Sequence, residues 1–279
     1  MTVALTVAAA LKASDLAAID ARVLLAHVLE RDRTWLVAHA DDAVTPAQAE
    51  RYRELVRRRR AGEPIAYLTG WREFWGLHLA ITPDVLIPRA DTETLVNTAL
   101  ALIPADRVTR VLDLGTGSGA IALAIAHERP RAHVLATDVA APALDVARHN
   151  ARRLALANVE FMLSDWLAAV PRLFHGAPFD LVVSNPPYIA EGDPHLAQGD
   201  LRHEPAQALS PGVDGLMALR RIVHDAGAYL VGRGALIVEH GFDQADAVRE
   251  LLIAAHYSNV ISARDLAGIP RVVSGHTAA

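Results

Sequence analysis

Cysteine is absent from all 279 residues, which excludes disulfides and thiolate metal sites and suits a reducing cytoplasm, the expected compartment. Lysine occurs once, at Lys12, so no residue is available for a buried Schiff base or the lysine of a phosphate-binding loop. Positive charge is not in excess. The formal net charge of −5 argues against affinity built on neutralising many phosphates, and direct nucleic-acid binding is not expected, although a local basic patch is compatible with it. No apolar run reaches membrane-spanning length, so no membrane partner is expected. The apolar opening Met1 to Val7 has no basic residue before it and is soon followed by Lys12 and Asp15, which speaks against a cleaved signal. What remains, at 52% hydrophobic and 21% charged, is enough for one large domain and a small one, each with a buried core.

Up to about residue 70 the pattern is helical. Ala21 to Leu29 forms an apolar stripe, and Thr45-Pro46-Ala47-Gln48-Ala49-Glu50 reads as a capped helix start. The helix that follows closes on Arg57-Arg58-Arg59-Arg60 before Ala61-Gly62. Cations there suit the helix dipole and glycine ends the helix, while docking of a partner is the other reading of the run. From Arg72 to Pro88 short alternating segments, Glu73 to Leu79 and Ile81 to Pro88, predict a β-hairpin between domains. The organisation expected is a helical domain over 1–71, a hairpin linker over 72–88 and an α/β domain over 89–279. Strands alternate with helices in that last part, the signature of a parallel α/β sheet. The strands expected are Val108 to Leu114, His133 to Asp138, Val159 to Asp165, Phe179 to Ser184 and Ala235 to His240, with Asn259 to Ala263 and Arg271 to Ser274 closing the chain.

Two strand ends carry the chemistry. Asn185-Pro186-Pro187-Tyr188 follows the apolar run Phe179 to Ser184, at the sheet edge where open α/β folds keep their sites. Two prolines fix an extended turn with free carbonyls, Asn185 adds a side-chain carbonyl and Tyr188 a flat face. Such a cradle suits a planar group bearing NH2, an amide or an aminated base. Upstream, Asp113-Leu114-Gly115-Thr116-Gly117-Ser118-Gly119 runs from a strand into a helix, and glycines there let a ligand approach the backbone. The next strand ends at Asp138, about twenty residues on, where a carboxylate can accept both ribose hydroxyls. The Gly-x-Gly-x-Gly spacing differs from that of dinucleotide binders and points to S-adenosylmethionine. Asp165 could meet the adenine amino group and Trp166 lie on its ring, or Trp166 could be core packing at a strand end. Asp113 could sit near the amino acid part of the cofactor, or merely tighten the turn. His203, Glu204, Glu191, Asp193 and His195 lack the tight spacing of metal ligands and read better as parts of a lid, so no metal is expected.

These residues resemble the class I S-adenosylmethionine-dependent methyltransferases, and within them the release-factor glutamine methyltransferases. The resemblance spans nearly the whole chain. It rests on Gly62 to Gly70, Leu86-Ile87-Pro88-Arg89-Ala90-Asp91-Thr92-Glu93, Gly115 to Gly119, Asn185 to Tyr188, and His203-Glu204-Pro205 followed by Ala208-Leu209. Ala90 stands where that family usually has a second proline. The resemblance implies a Rossmann-like sheet of seven strands with the last antiparallel, and a small N-terminal helical domain that grips a release factor. It implies that the acceptor is the glutamine of the Gly-Gly-Gln loop in class 1 release factors, with S-adenosylhomocysteine as product.

Asn185 and Pro186 are then expected to accept the two amide N–H bonds, with Tyr188 beside the reacting group, and proton loss to water needs no dedicated base. The Asn-Pro-Pro-Tyr turn is also shared by enzymes acting on exocyclic amines of nucleic-acid bases, and a sister enzyme methylates a ribosomal-protein glutamine. These stay as alternatives, together with a catalytically silent adaptor.

Overall fold

The computed structural model describes residues 5–279 and divides into two compact units, Met1–Trp71 with Gln198–His203, and Arg72–Ala197 with Glu204–Ala279. Met1 to Ala4, the start of the apolar opening, lie outside the described residues. The first unit holds α1 (Val7–Ala13), α2 (Ala18–Leu29), α3 (Arg33–Ala38), α4 (Pro46–Arg60) and α5 (Ile65–Thr69). Its core gathers Leu24, Leu25, Leu36, Tyr52 and Leu55, and the buried Tyr52 hydroxyl donates to Ala21 O at 3.2 Å. α4 begins with a reciprocal cap between Thr45 and Gln48, with proline at its first position, where the missing N–H costs nothing.

The arginine run at the end of α4 is fully engaged within this unit. Arg57 pairs with Glu54, Arg58 with Glu63, and Arg60 donates to Ser14 O at 2.7 Å. Arg59 bridges Asp20 at 2.8 Å and Asp200 at 2.9 Å, which fastens the Gln198–His203 excursion to the helices.

A hairpin follows, of β1 (Trp71–Phe74) and β2 (Leu77–Ala80). It is shorter than the sequence pattern suggested, because Ile81–Pro88 forms no strand: Pro83 and Pro88 remove ladder donors. The turn passes through Trp75 and Gly76, both at positive φ, 53° and 67°, the two-residue geometry that matches strand twist. Trp75 tolerates this conformation with its backbone N–H on Glu93 at 3.1 Å and its indole N–H on Glu128 at 3.0 Å.

The remaining elements alternate: α6 (Glu93–Leu102), β3 (Thr109–Leu114), α7 (Ala120–Glu128), β4 (Ala132–Asp138), α8 (Ala141–Arg153), β5 (Val159–Leu163), β6 (Phe179–Ser184), α9 (Met217–Ala226), β7 (Leu230–Glu239), α10 (Ala245–Ala254), β8 (Ser258–Arg264) and β9 (Pro270–His276). Seven strands form one sheet in the order β5-β4-β3-β6-β7-β9-β8. β3 to β7 run parallel, and β9, the last strand, is antiparallel to both its neighbours, as expected for the class I methyltransferase sheet. β3 and β6 are adjacent at the centre, where the strand order reverses. Both are largely buried on both faces, as a sheet covered by helices on each side requires.

Most strand ends fall within two residues of expectation, and two of the differences have a visible cause. β5 stops at Leu163 because the Ser164 hydroxyl donates to Trp166 O at 2.8 Å and accepts from Ala169 N at 3.0 Å, a local turn that competes with the ladder. β7 begins at Leu230, five residues before the apolar run at Ala235, through a register shift opposite Phe179 and Leu181. Among the described residues no helix is long and apolar enough to cross a membrane.

Candidate active site

The glycine loop is built between β3 and α7. Gly115, Gly117 and Gly119 all have positive φ (74°, 55° and 86°), a region that side chains rarely adopt. The backbone N–H groups of Gly115 and Thr116 both donate to Thr137 O, at 2.9 and 2.8 Å, tying the loop to the neighbouring strand. The glycines are not equivalent. A Cβ on Gly119 would lie 2.9 Å from Leu123 Cδ1 and 3.2 Å from Ala147 Cβ, whereas one on Gly117 would meet nothing within 4 Å. Gly119 is therefore demanded by packing and Gly117 by conformation, at a point where the backbone faces open space. Behind the loop, buried Asn150 of α8 donates to Ser118 O at 3.0 Å and pairs with the backbone of Ala80, so one side chain holds loop and hairpin together.

A cavity of about 440 Å³ opens over this edge of the sheet. Of the residues singled out from sequence, its wall brings together Gly115, Gly117, Asp138, Asp165, Trp166, Asn185 and Pro187. Asp138 ends β4 with Oδ2 accepting Gly117 N–H at 2.9 Å and Oδ1 accepting Ala140 N–H at 2.9 Å. Each oxygen keeps a second lone pair for a ligand. Asp165 lies two residues beyond the end of β5, and both its oxygens face Arg221 Nη1 at 2.9 Å, so the carboxylate is shared with a cation that also lines the cavity. Trp166, at φ 50°, does two things: it packs on the sheet's main core and turns its ring edge to Gly115.

Asp113, Thr116, Ser118, Gly119, Pro186 and Tyr188 do not line that wall. Asp113 is completely buried; its Oδ2 accepts the Thr116 hydroxyl at 2.7 Å and Oδ1 has no side-chain or backbone partner within hydrogen-bond distance. Burial pushes this carboxyl up to about 7, against the opposing hydrogen bond from Thr116. The structure gives it the turn-tightening geometry, below the loop rather than on its ligand side.

At the end of β6 the Asn185 side chain donates from Nδ2 to Thr92 Oγ1 at 3.2 Å, which leaves the carbonyl oxygen as the end available to a ligand. Tyr188 faces inward: its hydroxyl donates to Glu239 Oε1 at 3.3 Å, and its backbone carbonyl accepts from Gln244 Nε2 at 3.0 Å. Burial, together with the nearby Glu239 charge, raises the Tyr188 phenol above its ordinary range. The loop beyond the turn is pinned by Glu204, a buried carboxylate that accepts Ile87 N–H at 3.1 Å and pairs with Arg89. The segments around Pro88 and Pro205, far apart in sequence, are thereby fastened to each other.

The sequence assigns no role to Thr92, which stands within the Leu86 to Glu93 motif, nor to Arg221, Glu239 and Gln244. Glu239 carried a usable signal, since it ends a parallel strand at the same sheet edge as Asp138 and Ser184. Gln244 and Arg221 lie on elements with no such marker.

Comparison with known proteins gives this arrangement a family. Residues 5–70 match the family described as the PrmC N-terminal domain, and residues 91–252 match the Methyltransferase small domain. The Release factor glutamine methyltransferase of Burkholderia pseudomallei (strain K96243) is 55% identical over 275 residues, 97% of this chain and 95% of that protein. The protein of the same name from Escherichia coli (strain K12) is 46% identical over 265 residues, 95% of this chain and 94% of that protein. Among solved structures, the T. Thermophilus 16S rRNA N2 G1207 methyltransferase (RsmC), in complex with AdoMet and guanosine, is 20% identical with a TM-score of 0.51. It covers 74% of this chain and 49% of its own, a likeness of fold alone. With both family matches in order along a chain that aligns almost end to end with these relatives, the protein is a methyltransferase and belongs to the release factor glutamine methyltransferase family.

Proposed function

We propose that the protein transfers a methyl group from S-adenosylmethionine to the side-chain amide nitrogen (N5) of the glutamine in the Gly-Gly-Gln motif of class 1 peptide chain release factors, leaving S-adenosylhomocysteine. One observation carries this reading: Asn185, on the cavity wall, has its NH2 group committed to Thr92, so a hydrogen-bond acceptor faces the ligand space. An incoming primary amide offers two N–H donors, which this end can receive. The helical domain over residues 1–71 would dock the release factor, a substrate met in the cytoplasm, which a chain without cysteine suits.

The residues of the cavity wall suit this cofactor. Gly117 would let a ligand approach the backbone, since even an added Cβ there would meet nothing within 4 Å. Asp138 keeps one lone pair on each oxygen for ribose hydroxyls, and the Trp166 ring offers a flat face for a base. Bound in this cavity, S-adenosylmethionine supplies a methyl group activated by a sulfonium.

A primary amide nitrogen is a weak nucleophile because its lone pair is delocalised into the carbonyl. Asn185 Oδ1 and the Pro186 carbonyl each accept one of its N–H bonds, which aims the nitrogen and stabilises the positive charge that develops on it. Two adjacent prolines keep those acceptors from rotating away. Tyr188 anchors the turn through Glu239 and Gln244. The methylated amide cation is a strong acid and releases its proton to water.

The test is transfer of labelled methyl from S-adenosylmethionine to purified release factor, beside DNA and ribosomal RNA, with mass spectrometry locating the label. Label on the Gly-Gly-Gln glutamine is the expected result. Label on nucleic acid alone would leave the cofactor pocket and overturn the acceptor.

A further inference from the structure

The Glu204 carboxylate ties together two stretches of cavity wall that are far apart in sequence. Its side chain is 0% exposed, so water cannot replace either of its partners. Oε2 accepts the N–H of Ile87, 117 residues earlier in the chain, at 3.1 Å. Ile87 directly follows Asp84, Val85 and Leu86, which line the cavity. Oε1 pairs with the guanidinium of Arg89. On its own side, Glu204 opens the segment whose Pro205, Gln207 and Ala208 line the cavity in turn.

Both sides reach on to the Asn-Pro-Pro-Tyr turn. Arg89 O accepts the Thr92 N–H at 3.2 Å across the short 3-10 turn Ala90–Thr92, and Thr92 Oγ1 accepts the Asn185 amide hydrogen at 3.2 Å. Beyond Glu204, Leu209 O accepts the Ile189 N–H at 3.0 Å and Gly212 O accepts the Glu191 N–H at 2.9 Å. The contacts close a ring that runs from Asn185 through Thr92, Arg89, Glu204 and Leu209 back to Ile189, the residue after Tyr188.

We propose that Glu204 and Arg89 are positioning residues with divided tasks. The Ile87 arm of the carboxylate sets the wall against which the cofactor lies, and the Arg89 arm holds Thr92 where it keeps Asn185 turned toward the acceptor. This rests on the reading of the cavity as a site of methyl transfer from S-adenosylmethionine.

The two arms can be broken separately. Arg89→Met removes the guanidinium and leaves the Ile87 contact. Glu204→Gln has one oxygen and one NH2 to share between two donors. Arg89, 33% exposed, can turn to water, whereas the Ile87 N–H is fixed in the backbone, so the oxygen stays on Ile87 and the Arg89 arm is the one lost. Glu204→Leu removes both arms. Arg89→Lys keeps a cation that can reach the carboxylate.

The test uses the full-length protein and three readouts: single-turnover transfer of labelled methyl to release factor, calorimetric titration of S-adenosylhomocysteine, and hydrogen exchange at the Ile87 amide. Arg89→Met and Glu204→Gln should each lose about tenfold or more in transfer rate, with product affinity within about threefold of wild type and the Ile87 amide still protected. That titration also shows the cavity to be intact in these variants. The double variant should lose no more than the larger single loss, because both changes remove one contact. Arg89→Lys should recover part of the rate, which loss of packing alone would not predict. Glu204→Leu should in addition bind S-adenosylhomocysteine about tenfold or more weakly and lose protection at Ile87. In the wild type, where folding is not in question, saturating S-adenosylhomocysteine should slow exchange at Ile87 by about tenfold or more.

Wild-type transfer in Arg89→Met, losses that add in the double variant, or exchange at Ile87 that ignores bound S-adenosylhomocysteine overturns the proposal. If the wild type labels another acceptor, the same variants are read on that acceptor. The same pattern there overturns the glutamine reading and leaves Glu204 and Arg89 in their roles.

Discussion

Replacing Asp138 with alanine separates two tasks that one carboxylate performs. In the free protein its oxygens take the N–H groups of Gly117 and Ala140, both at 2.9 Å, and so hold the glycine loop to the end of β4. The remaining lone pairs are those that a ribose diol would use. A hydrogen bond to a charged group contributes about 1.5–3 kcal/mol. Asp138 is only half-buried, so water replaces part of what is lost and the lower figure applies to each hydroxyl. Two such bonds come to about 3 kcal/mol, or about a hundredfold in affinity.

The assay is calorimetric titration of S-adenosylhomocysteine, and of an analogue lacking both ribose hydroxyls, into wild type and Asp138→Ala. The wild type should bind the analogue about a hundredfold more weakly than the parent compound. In Asp138→Ala that penalty should shrink to within about threefold, because the partner of the missing hydroxyls is itself missing. If the analogue pays the full penalty in both proteins, the hydroxyls are held elsewhere and Asp138 serves only to fix Gly117. Asp138→Asn sharpens the test, since its NH2 must oppose one of the two backbone donors and disturb the loop even where the ribose contact survives.

Three further outcomes follow from the same geometry. Asn185→Ala should lose at least about a hundredfold in single-turnover methyl transfer while cofactor affinity by titration stays within about threefold, because the lost contact is to the acceptor. Gly119→Ala, whose Cβ would lie 2.9 Å from Leu123 Cδ1 at φ 86°, should lose more stability in chemical denaturation than Gly117→Ala, whose Cβ meets nothing within 4 Å. The difference should be about 1–3 kcal/mol. Asp113→Asn should flatten the dependence of stability on pH. The native carboxyl is raised from 3.8 to about 7, so its contribution is fully present below the lower value and lost as pH rises through the upper one. The slope it adds to denaturation free energies integrates to on the order of 4 kcal/mol, and an unchanged slope in the variant would remove Asp113 as its source.

The legibility of the fold followed burial. β6 was readable to the residue because a strand covered on both faces is nearly all apolar, and Phe179 to Ser184 is broken only by Asp180 before it closes on Ser184. β7 was readable only from Ala235, because Gly232, Arg233 and Gly234 break the run while the backbone continues the ladder around a bulge. The alternating pattern continues through Ile81 to Pro88 beyond the end of the hairpin at Ala80, where Pro83 and Pro88 override it. In the site, Gly117, Asp138 and Asn185 were legible because residue type and strand-end position coincide. Thr92 and Tyr188 stood in recognisable motifs, yet their partners lie 93 and 51 residues away, at Asn185 and Glu239. No local pattern encodes a hydrogen bond of that reach.

Burial also divides the carboxylates along this sheet edge. Asp138 lies on the cavity wall, while Asp113, next to last in β3, and Glu239, last in β7, are buried with one oxygen each lacking a hydrogen-bond partner. For Glu239, raised from 4.5 to about 7 chiefly by burial, the contribution to stability is complete below the unfolded value and fades as pH rises through the folded one. Denaturation free energy followed against pH should therefore fall toward pH 7, and Glu239→Gln should remove that part of the slope. A slope unchanged in the variant would belong to another group, because a carboxyl that has been replaced cannot titrate.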